Sequence, residues 1–544
     1  MEKICEEIYK EFITETVDKD GVLKDISFKN TDRFNFAFDI FDNLGTLCAE
    51  KEALIYLDKN QNEKRFTFGE LMKLSNKAAN YFLDLGIKKG DRIMLVLKRH
   101  YQFWISVLAL HKIGAVAIPA TSQLQTGDFS YRFELGNISA VISTSEDEVP
   151  DKIDETKYHC IKVIVNGKKE GWNSFDDEYE KYSDVFLKGE DYPCGDDEMI
   201  MFFTSGTTGY PKLAAHSYKY PLGHFVTAKY WHDEKPGKIH FTISDTGWGK
   251  ALWGKLYGQW FVGSVVFVYD FDRFCPEDIL PLFSKYKIST FCAPPTIYRM
   301  FIKANPEEYD LSSVSRATTA GEPLNPDVSE KFYEVTGLKI PEGFGQTETT
   351  LIIGTLAGQM QKTGSMGKAI PGFRVELLNN DGEKCKTDEI GEIVVSCKEK
   401  VPCGVFLGYV NQSGFTNALK KEEYHHTGDL AKMDKDGYFW YVGRKDDIIK
   451  SSGYRIGPCE IENVIMELPF VLECAVSGES DEIRGQIVKA TVKLVDKNEE
   501  SDELAKAIQE YVKKKTAPYK YPRKVVFVDE LPKTISGKVM RNKL

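Results

Sequence analysis

No run in this 544-residue chain approaches the ~20 consecutive apolar residues that a membrane span needs. The opening residues, Met1-Glu2-Lys3-Ile4-Cys5-Glu6-Glu7, are acidic and lack an apolar core. Neither a secretory signal nor an Arg-rich transit peptide is expected there. The eleven cysteines form no CxxC pair and are odd in number, spread from Cys5 to Cys474. That excludes a disulfide framework or a zinc ribbon and points to reduced thiols in a cytoplasmic protein. An excess of basic charge is also missing: the net charge of −11 argues against nucleic-acid binding as the main task. There is no low-complexity linker, disordered tail or internal repeat.

The chain is too long for one hydrophobic core, so a multi-lobed body or several domains are expected. Apolar strands alternate with amphipathic helices over the first four-fifths. Ile93–Leu97 reads as a buried strand, Tyr101–Ile113 as a helix and Ala115–Ile118 as the next strand, a βαβ unit that implies a parallel sheet. Similar runs recur at Ala140–Ser143, Ile161–Val165, Met199–Phe203, Val265–Val268 and Thr290–Ala293, which gives an α/β class. After about Thr363, β segments at Val375–Leu378, Gly391–Ser396 and Tyr438–Val442 are punctuated by Asp-Gly turns, which suggests a β-rich subdomain. From about Asp447 the pattern turns mixed, with helices expected at Glu460–Glu467 and Asp502–Lys515 and strands near Val488–Leu494 and Lys524–Val528.

Thr204-Ser205-Gly206-Thr207-Thr208-Gly209-Tyr210-Pro211-Lys212 follows the strand Met199–Phe203 directly. Its glycines let several backbone N–H groups converge, its hydroxyls add donors and Lys212 adds a positive charge, a set suited to a triphosphate. Gly249-Lys250-Ala251-Leu252-Trp253-Gly254-Lys255 mimics half of a P-loop, but Leu256 stands where Mg²⁺ needs a hydroxyl. Its Trp- and Leu-rich setting reads as a packed helix, and no kinase motif set is present.

The Thr204–Lys212 loop resembles the nucleotide loop of the acyl-adenylate-forming superfamily. Further segments match that family in order: Glu342-Gly343-Phe344-Gly345-Gln346-Thr347-Glu348, Thr427-Gly428-Asp429, Gly443-Arg444-Lys445-Asp446-Asp447 and Pro532-Lys533-Thr534-Ile535-Ser536-Gly537-Lys538. The resemblance implies a large N-terminal domain of two mixed sheets with helices plus a β-barrel-like subdomain, residues 1–445. A small mobile α+β C-terminal domain, residues 446–544, follows a hinge at Asp446.

The resemblance also implies roles. Lys538 would bridge the carboxylate and the α-phosphate, two anions that repel each other. Thr347 would sit beside both, and Glu348 would hold Mg²⁺. Asp429 would accept the ribose hydroxyls, Arg444 would add charge-assisted bonds, and Gly321-Glu322-Pro323 with Glu342–Gln346 would frame the adenine. The region after the hinge is similar to medium-chain acyl-CoA synthetases. By that similarity Ser452, Gly453 and Tyr454, with Arg484, Lys513 and Tyr521, would bind coenzyme A, while Arg455 would face the acyl-adenylate. A basic run, Lys513 to Lys515 with Lys520, Arg523 and Lys524, fits a polyphosphate or an acidic carrier surface. His425 and His426 lack metal-ligand spacing and read as structural.

Acetyl-specific relatives carry a Trp where this chain has Gly345. A larger acid is therefore expected, a medium-chain or branched one first and a small aromatic one second. Trp248 is a candidate pocket wall. The cofactors and partners implied are ATP, Mg²⁺, coenzyme A and a small carboxylic acid, with no nucleic acid and no membrane span; a homodimer is compatible with this. The competing expectations are an enzyme that loads a carrier protein's phosphopantetheine and a nucleotide-binding sensor. The catalytic-type Lys538 argues against the sensor.

Overall fold

The computed structural model describes residues 1–204, 211–411, 414–416, 419, 422–452, 454–497, 500–534 and 538–544. Two nine-stranded mixed sheets dominate the first three-quarters of the chain. The first has the parallel strands Val116–Pro119, Arg92–Val96, Ala140–Thr144 and Ile161–Val165 at its centre. Strand Glu198–Thr204 joins Val116–Pro119 in parallel and pairs on its other side, antiparallel, with Lys212–Ser217. In the second sheet, Glu52–Leu57, Val265–Tyr269, Ile239–Thr242, Ile288–Cys292, Arg316–Ala320 and Glu342–Phe344 run parallel in that order.

The helix Gln102–Ile113 is buried at every residue. Its run of Phe, Trp, Ile, Val and Leu has no polar face, so it can lie only inside the body. It stops at Gly114, whose φ of 84° closes the helix in the left-handed region. The neighbouring helix Phe68–Asp84 starts on a reciprocal capping box between Thr67 and Glu70. One hydrophobic core joins both sheets through these helices, with Trp104, Leu108 and Trp260 packed among Ile93, Leu95, Leu54 and Val266.

A four-stranded antiparallel sheet follows, in the order Val375–Leu378, Ile390–Ser396, Tyr424–Met433, Phe439–Arg444. It sits where the Asp-Gly turns place the β-rich subdomain. After the single turn Lys445–Asp447, residues 449–527 build a five-stranded sheet covered by helices Pro458–Met466 and Asp502–Lys515. That unit has its own core, which includes Ile449, Ile461, Val476, Val492 and Ile508. The Gly249–Lys255 segment contains the short buried helix Ala251–Gly254, as its composition suggests. Among the described residues, no helix is long and apolar enough to cross a membrane.

Candidate active site

The strands Glu198–Thr204, Arg316–Ala320 and Glu342–Phe344 end at one place, and the four-stranded sheet and the C-terminal tail close over it. Their junction encloses a cavity of about 970 Å³. In parallel sheets the strand ends leave loops free to carry a ligand, and this cavity lies in that position. Thr204, Pro211 and Lys212 line it; Ser205, Gly206, Thr207, Thr208, Gly209 and Tyr210 lie outside the described residues. The Lys212 ammonium sits 5.0 Å over the Tyr409 ring.

Gly321, Glu322 and Pro323 line the cavity just past the strand Arg316–Ala320. Gly321 adopts φ +100°, and an added Cβ there would stand 3.5 Å from the Lys250 ammonium. Lys250 donates to the Ala320 carbonyl, and burial pushes its amine pKa down. The Glu342 carboxylate accepts the Leu324 N–H and so ties this turn to the next strand. Burial raises the Glu342 carboxyl to about 7.

The segment Gly345–Glu348 runs along the cavity wall. The Gln346 amide donates 2.5 Å to Asp429 Oδ2 and 2.8 Å to the Thr427 carbonyl. His216 donates from Nε2 to the Thr347 carbonyl at 2.8 Å. The Tyr409 hydroxyl donates to Glu348 Oε1 at 2.6 Å, which fixes one carboxylate oxygen within the cavity lining. A carboxylate presented in this way is a hard oxygen donor that fits Mg²⁺.

Asp429 is buried, and its two oxygens are held by different donors. Tyr441 donates to Oδ1 at 2.9 Å, and Arg444 Nη1 donates to Oδ2 at 3.1 Å. Burial raises the Asp429 carboxyl, while Arg444, Tyr441 and Gln346 pull the other way. Lys538 also lines the cavity and is close enough to bear on the charges of Asp429 and Lys250. Its backbone closes a turn with Thr534, through Thr534 N–H to the Lys538 carbonyl at 2.7 Å; Ile535, Ser536 and Gly537 lie outside the described residues.

Trp248 lines the cavity as expected. Gly345 has a neighbour that the sequence does not announce. An added Cβ there would lie 2.5 Å from the Trp253 ring and 2.3 Å from the Thr350 carbonyl. Trp253, from the short helix Ala251–Gly254, therefore occupies the space that a larger residue at Gly345 would take. His425 is buried against Phe406, and burial lowers its imidazole to about 4; His426 pairs with Glu392. Both line the cavity, and neither belongs to a described group of ligands spaced for a metal.

The residues expected to bind coenzyme A gather elsewhere. Ser452 and Tyr454 flank the turn of the hairpin Ile449–Ser451 and Tyr454–Ile456; Gly453, between them, lies outside the described residues. Arg484 reaches this turn and donates to Ser452 Oγ at 3.2 Å. Tyr521 carries the Lys513 ammonium 5.6 Å over its ring. None of these side chains lines the cavity. Arg455 does not line it either; it donates instead to Asn380 Oδ1 at 2.8 Å. Asp446 is exposed in the connecting turn. Next to it, Asp447 binds Arg541, which also grips Glu462 at 2.8 Å.

Sequence reasoning missed Tyr409, Tyr441, His216, Lys250 and Trp253 as parts of the site. Only Tyr441 had a usable signal, since it lies three residues before Arg444 on a strand that faces the Asp429 strand. Tyr409 reaches the cavity through tertiary packing, and His216, Lys250 and Trp253 lie behind it against the lining residues Thr347, Gly321 and Gly345.

A protein-family model described as AMP-binding enzyme matches residues 43–410, and one described as AMP-binding enzyme C-terminal domain matches residues 460–538. The chain is 40% identical over 533 residues to human acyl-coenzyme A synthetase ACSM3, mitochondrial, covering 94% of this chain and 89% of that one. It is 38% identical to human acyl-coenzyme A synthetase ACSM4, mitochondrial, over 94% and 90% of the two chains. Among solved structures, the anthranilate CoA ligase AuaEII in complex with anthranoyl-AMP superposes with a TM-score of 0.83 at 26% identity, covering 94% of this chain and 96% of that one. A benzoate CoA ligase from Burkholderia xenovorans LB400 gives a TM-score of 0.81 at 25% identity, over 94% and 99%. With its motif segments in order and a family match over most of its length, the chain belongs to the AMP-binding, acyl-adenylate-forming enzyme family.

Proposed function

We propose that this chain is an AMP-forming acyl-CoA synthetase. In the first step a carboxylate oxygen attacks the α-phosphorus of ATP, an acyl-AMP forms and pyrophosphate leaves. In the second step the thiol sulfur of coenzyme A attacks the acyl carbonyl, the thiol proton is released and AMP leaves.

The observation that carries this reading is the meeting of Lys538 with Thr347, Asp429 and Arg444 around one cavity. Two anions must approach each other there, and an exposed lysine on a turn supplies the charge that bridges them. Asp429 offers a buried two-acceptor carboxylate for the ribose, and Lys212 lies at the mouth of the phosphate loop. Glu348 is the residue that would hold Mg²⁺, whose charge offsets that of the triphosphate.

The CoA residues lie on another face of the C-terminal unit, so the second step needs that unit to turn. We place the hinge at Asp446 and the domain boundary between residues 445 and 446. One feature supports this: residues 449–527 have a core of their own, while Arg455 meets Asn380 across the junction through a hydrogen bond.

Trp253 shortens the space that Gly345 opens. A medium-chain or branched acid remains the first reading of the substrate. A small aromatic acid is second, supported by the fold likeness to the anthranilate and benzoate CoA ligases. A cytoplasmic location and a homodimer complete the proposal. The described cysteines are all free thiols, which suits a reducing compartment; fractionation checks the cytoplasm against the mitochondrial location in the human relatives' names.

The test is pyrophosphate release over a panel of acids, with and without CoA, with acyl-CoA measured directly. Release with acyl-CoA formation supports the ligase. Release with transfer only to a carrier protein's phosphopantetheine supports the alternative, and no release with any acid overturns both.

A further inference from the structure

Arg541 lies three residues beyond Lys538, and all three nitrogens of its guanidinium are committed. Nη2 donates to both carboxylate oxygens of Glu462 at 2.8 Å, Nε donates to Glu462 Oε1 at 3.2 Å, and Nη1 donates to Asp447 Oδ2 at 3.2 Å. The three side chains are mostly buried, so water competes little for these charge-assisted bonds. Glu462 is itself fixed, because its Oε1 also accepts the Val476 N–H at 2.8 Å. Helix Pro458–Met466, strand Val471–Asp481 and the connecting turn Lys445–Asp447 thus share one anchor, and the tail turn Arg541–Lys543 supplies it.

Lys538 has no such hold of its own. Among the described residues, no side chain pairs with its ammonium, so its place is set by the backbone that carries it. That backbone is a narrow hairpin, in which Lys533 bridges Val539 and the Met540 N–H donates to the Pro532 carbonyl at 2.8 Å. One arm is held by Lys533, whose ammonium lies 2.8 Å from Glu473. The other arm is held by Arg541, through a planar fork on one carboxylate and a bond to a second. The fork fixes direction as well as distance, which a single ammonium does not. Arg541 lines the cavity beside Lys538, yet it has no nitrogen left over for a ligand there.

We propose that Arg541 is a positioning residue for Lys538. Its clamp on Glu462 and Asp447 fixes the hairpin that carries the Lys538 ammonium into the cavity, where the carboxylate and the α-phosphate meet. This assignment rests on the CoA-ligase reading above and on the role that reading gives Lys538; it adds a residue that acts through that lysine. Asp447 directly follows the proposed hinge, so the clamp also makes Lys538 turn with the C-terminal unit as one piece. The thioester step has no anion repulsion for Lys538 to relieve, so Arg541 serves the adenylation step alone.

The experiment measures the two half-reactions separately: ATP–pyrophosphate exchange with the acid, and thioester formation from supplied acyl-AMP and CoA. The proteins are the wild type, Arg541→Met, Glu462→Gln, Lys538→Ala and the double variant Lys538→Ala/Arg541→Met. Misplacing a catalytic group by about 1 Å can cost on the order of 10²-fold, so Arg541→Met should lower kcat for exchange roughly 10- to 100-fold. KM for ATP and the thioester step should stay near wild type. Glu462→Gln keeps the shape and removes the charge; it should show the same split to a smaller extent, and it covers an Arg541 variant that does not fold. The double variant should be no slower than Lys538→Ala, because the clamp then has no ammonium to place. Unchanged exchange in the folded variants overturns the proposal, as does equal loss of both half-reactions or a further fall in the double variant. Normal exchange by Lys538→Ala overturns the role of Lys538 itself, and the clamp with it; that outcome appears before Arg541 is changed.

Discussion

Asp429 and Arg444 face each other directly across neighbouring antiparallel strands, and Arg444 Nη1 lies 3.1 Å from Asp429 Oδ2. The ladder register holds this pair, so the carboxylate is aimed before any ligand arrives. On the proposed reading, the ribose hydroxyls meet a carboxylate that is already almost fully desolvated. Hydrogen bonds to it are stronger for that reason.

Asp429→Asn keeps the shape and removes the charge. Hydrogen bonds to a charged acceptor contribute about 1.5–3 kcal/mol, which is roughly a tenfold to hundredfold rise in KM for ATP. Arg444 would keep the Thr427 carbonyl as a partner, at 3.1 Å, so the fold should survive. Steady-state kinetics beside a melting curve separate the two effects. A lower Tm with an unmoved KM for ATP would show that the pair is only structural.

Lys538→Ala removes the cavity-lining ammonium whose backbone carbonyl accepts from the Thr534 N–H. Adenylate formation should fall by at least ~10²-fold, the scale for losing one preorganised group that stabilises transition-state charge. Thioester formation from supplied acyl-AMP should persist, because that step has no phosphate–carboxylate repulsion to relieve. Equal loss of both half-reactions would remove the role assigned to Lys538.

Much of this could be read from residue order, and the exceptions have physical causes. The strands Ile161–Val165 and Val375–Leu378 and the helix Asp502–Lys515 fall where periodicity puts them. Those signals are local. The parallel pairing of Glu52–Leu57 with Val265–Tyr269 joins distant segments and leaves no local mark. The site divides in the same way. Asp429, Arg444, Thr347 and Lys538 sit in recognisable motifs. Tyr409 and His216 matter only because the fold brings them against Glu348 and Thr347. Gly345 shows the limit most clearly: a small residue reads as open space, yet whether the space is open depends on Trp253, far away in sequence.

On the proposed reading, in which the acyl group enters beside Gly345, the Trp253 ring limits how far it can go. Trp253→Leu should widen the space beside Gly345 and shift the preferred acid toward longer or bulkier chains. Its cost in stability should stay below the about 3–5 kcal/mol typical of truncating a buried Trp to Ala. The measurement is kcat/KM across straight-chain acids of increasing length for both proteins. An unchanged chain-length profile in a folded variant would show that Trp253 lies outside the path of the acyl group.

Glu234 stands in the polar run His232-Asp233-Glu234-Lys235, yet it is buried. Oε1 accepts from the Gln259 amide at 2.8 Å and lies 3.3 Å from His240 Nδ1, while Oε2 has no described partner. Burial raises this carboxyl from 4.5 to about 8. The folded state therefore binds a proton that the unfolded chain releases near its ordinary value. The associated stability is fully present below about pH 4.5 and is lost as the pH rises through about 8. Glu342 has the same sign, with its carboxyl at about 7. Glu234→Gln removes the titration while keeping the shape. Its Tm should change less between pH 5 and pH 9 than that of the wild type, and the two curves should diverge most on the alkaline side, where the variant is the more stable. Parallel curves over that range would mean that Glu234 does not hold its proton in the fold.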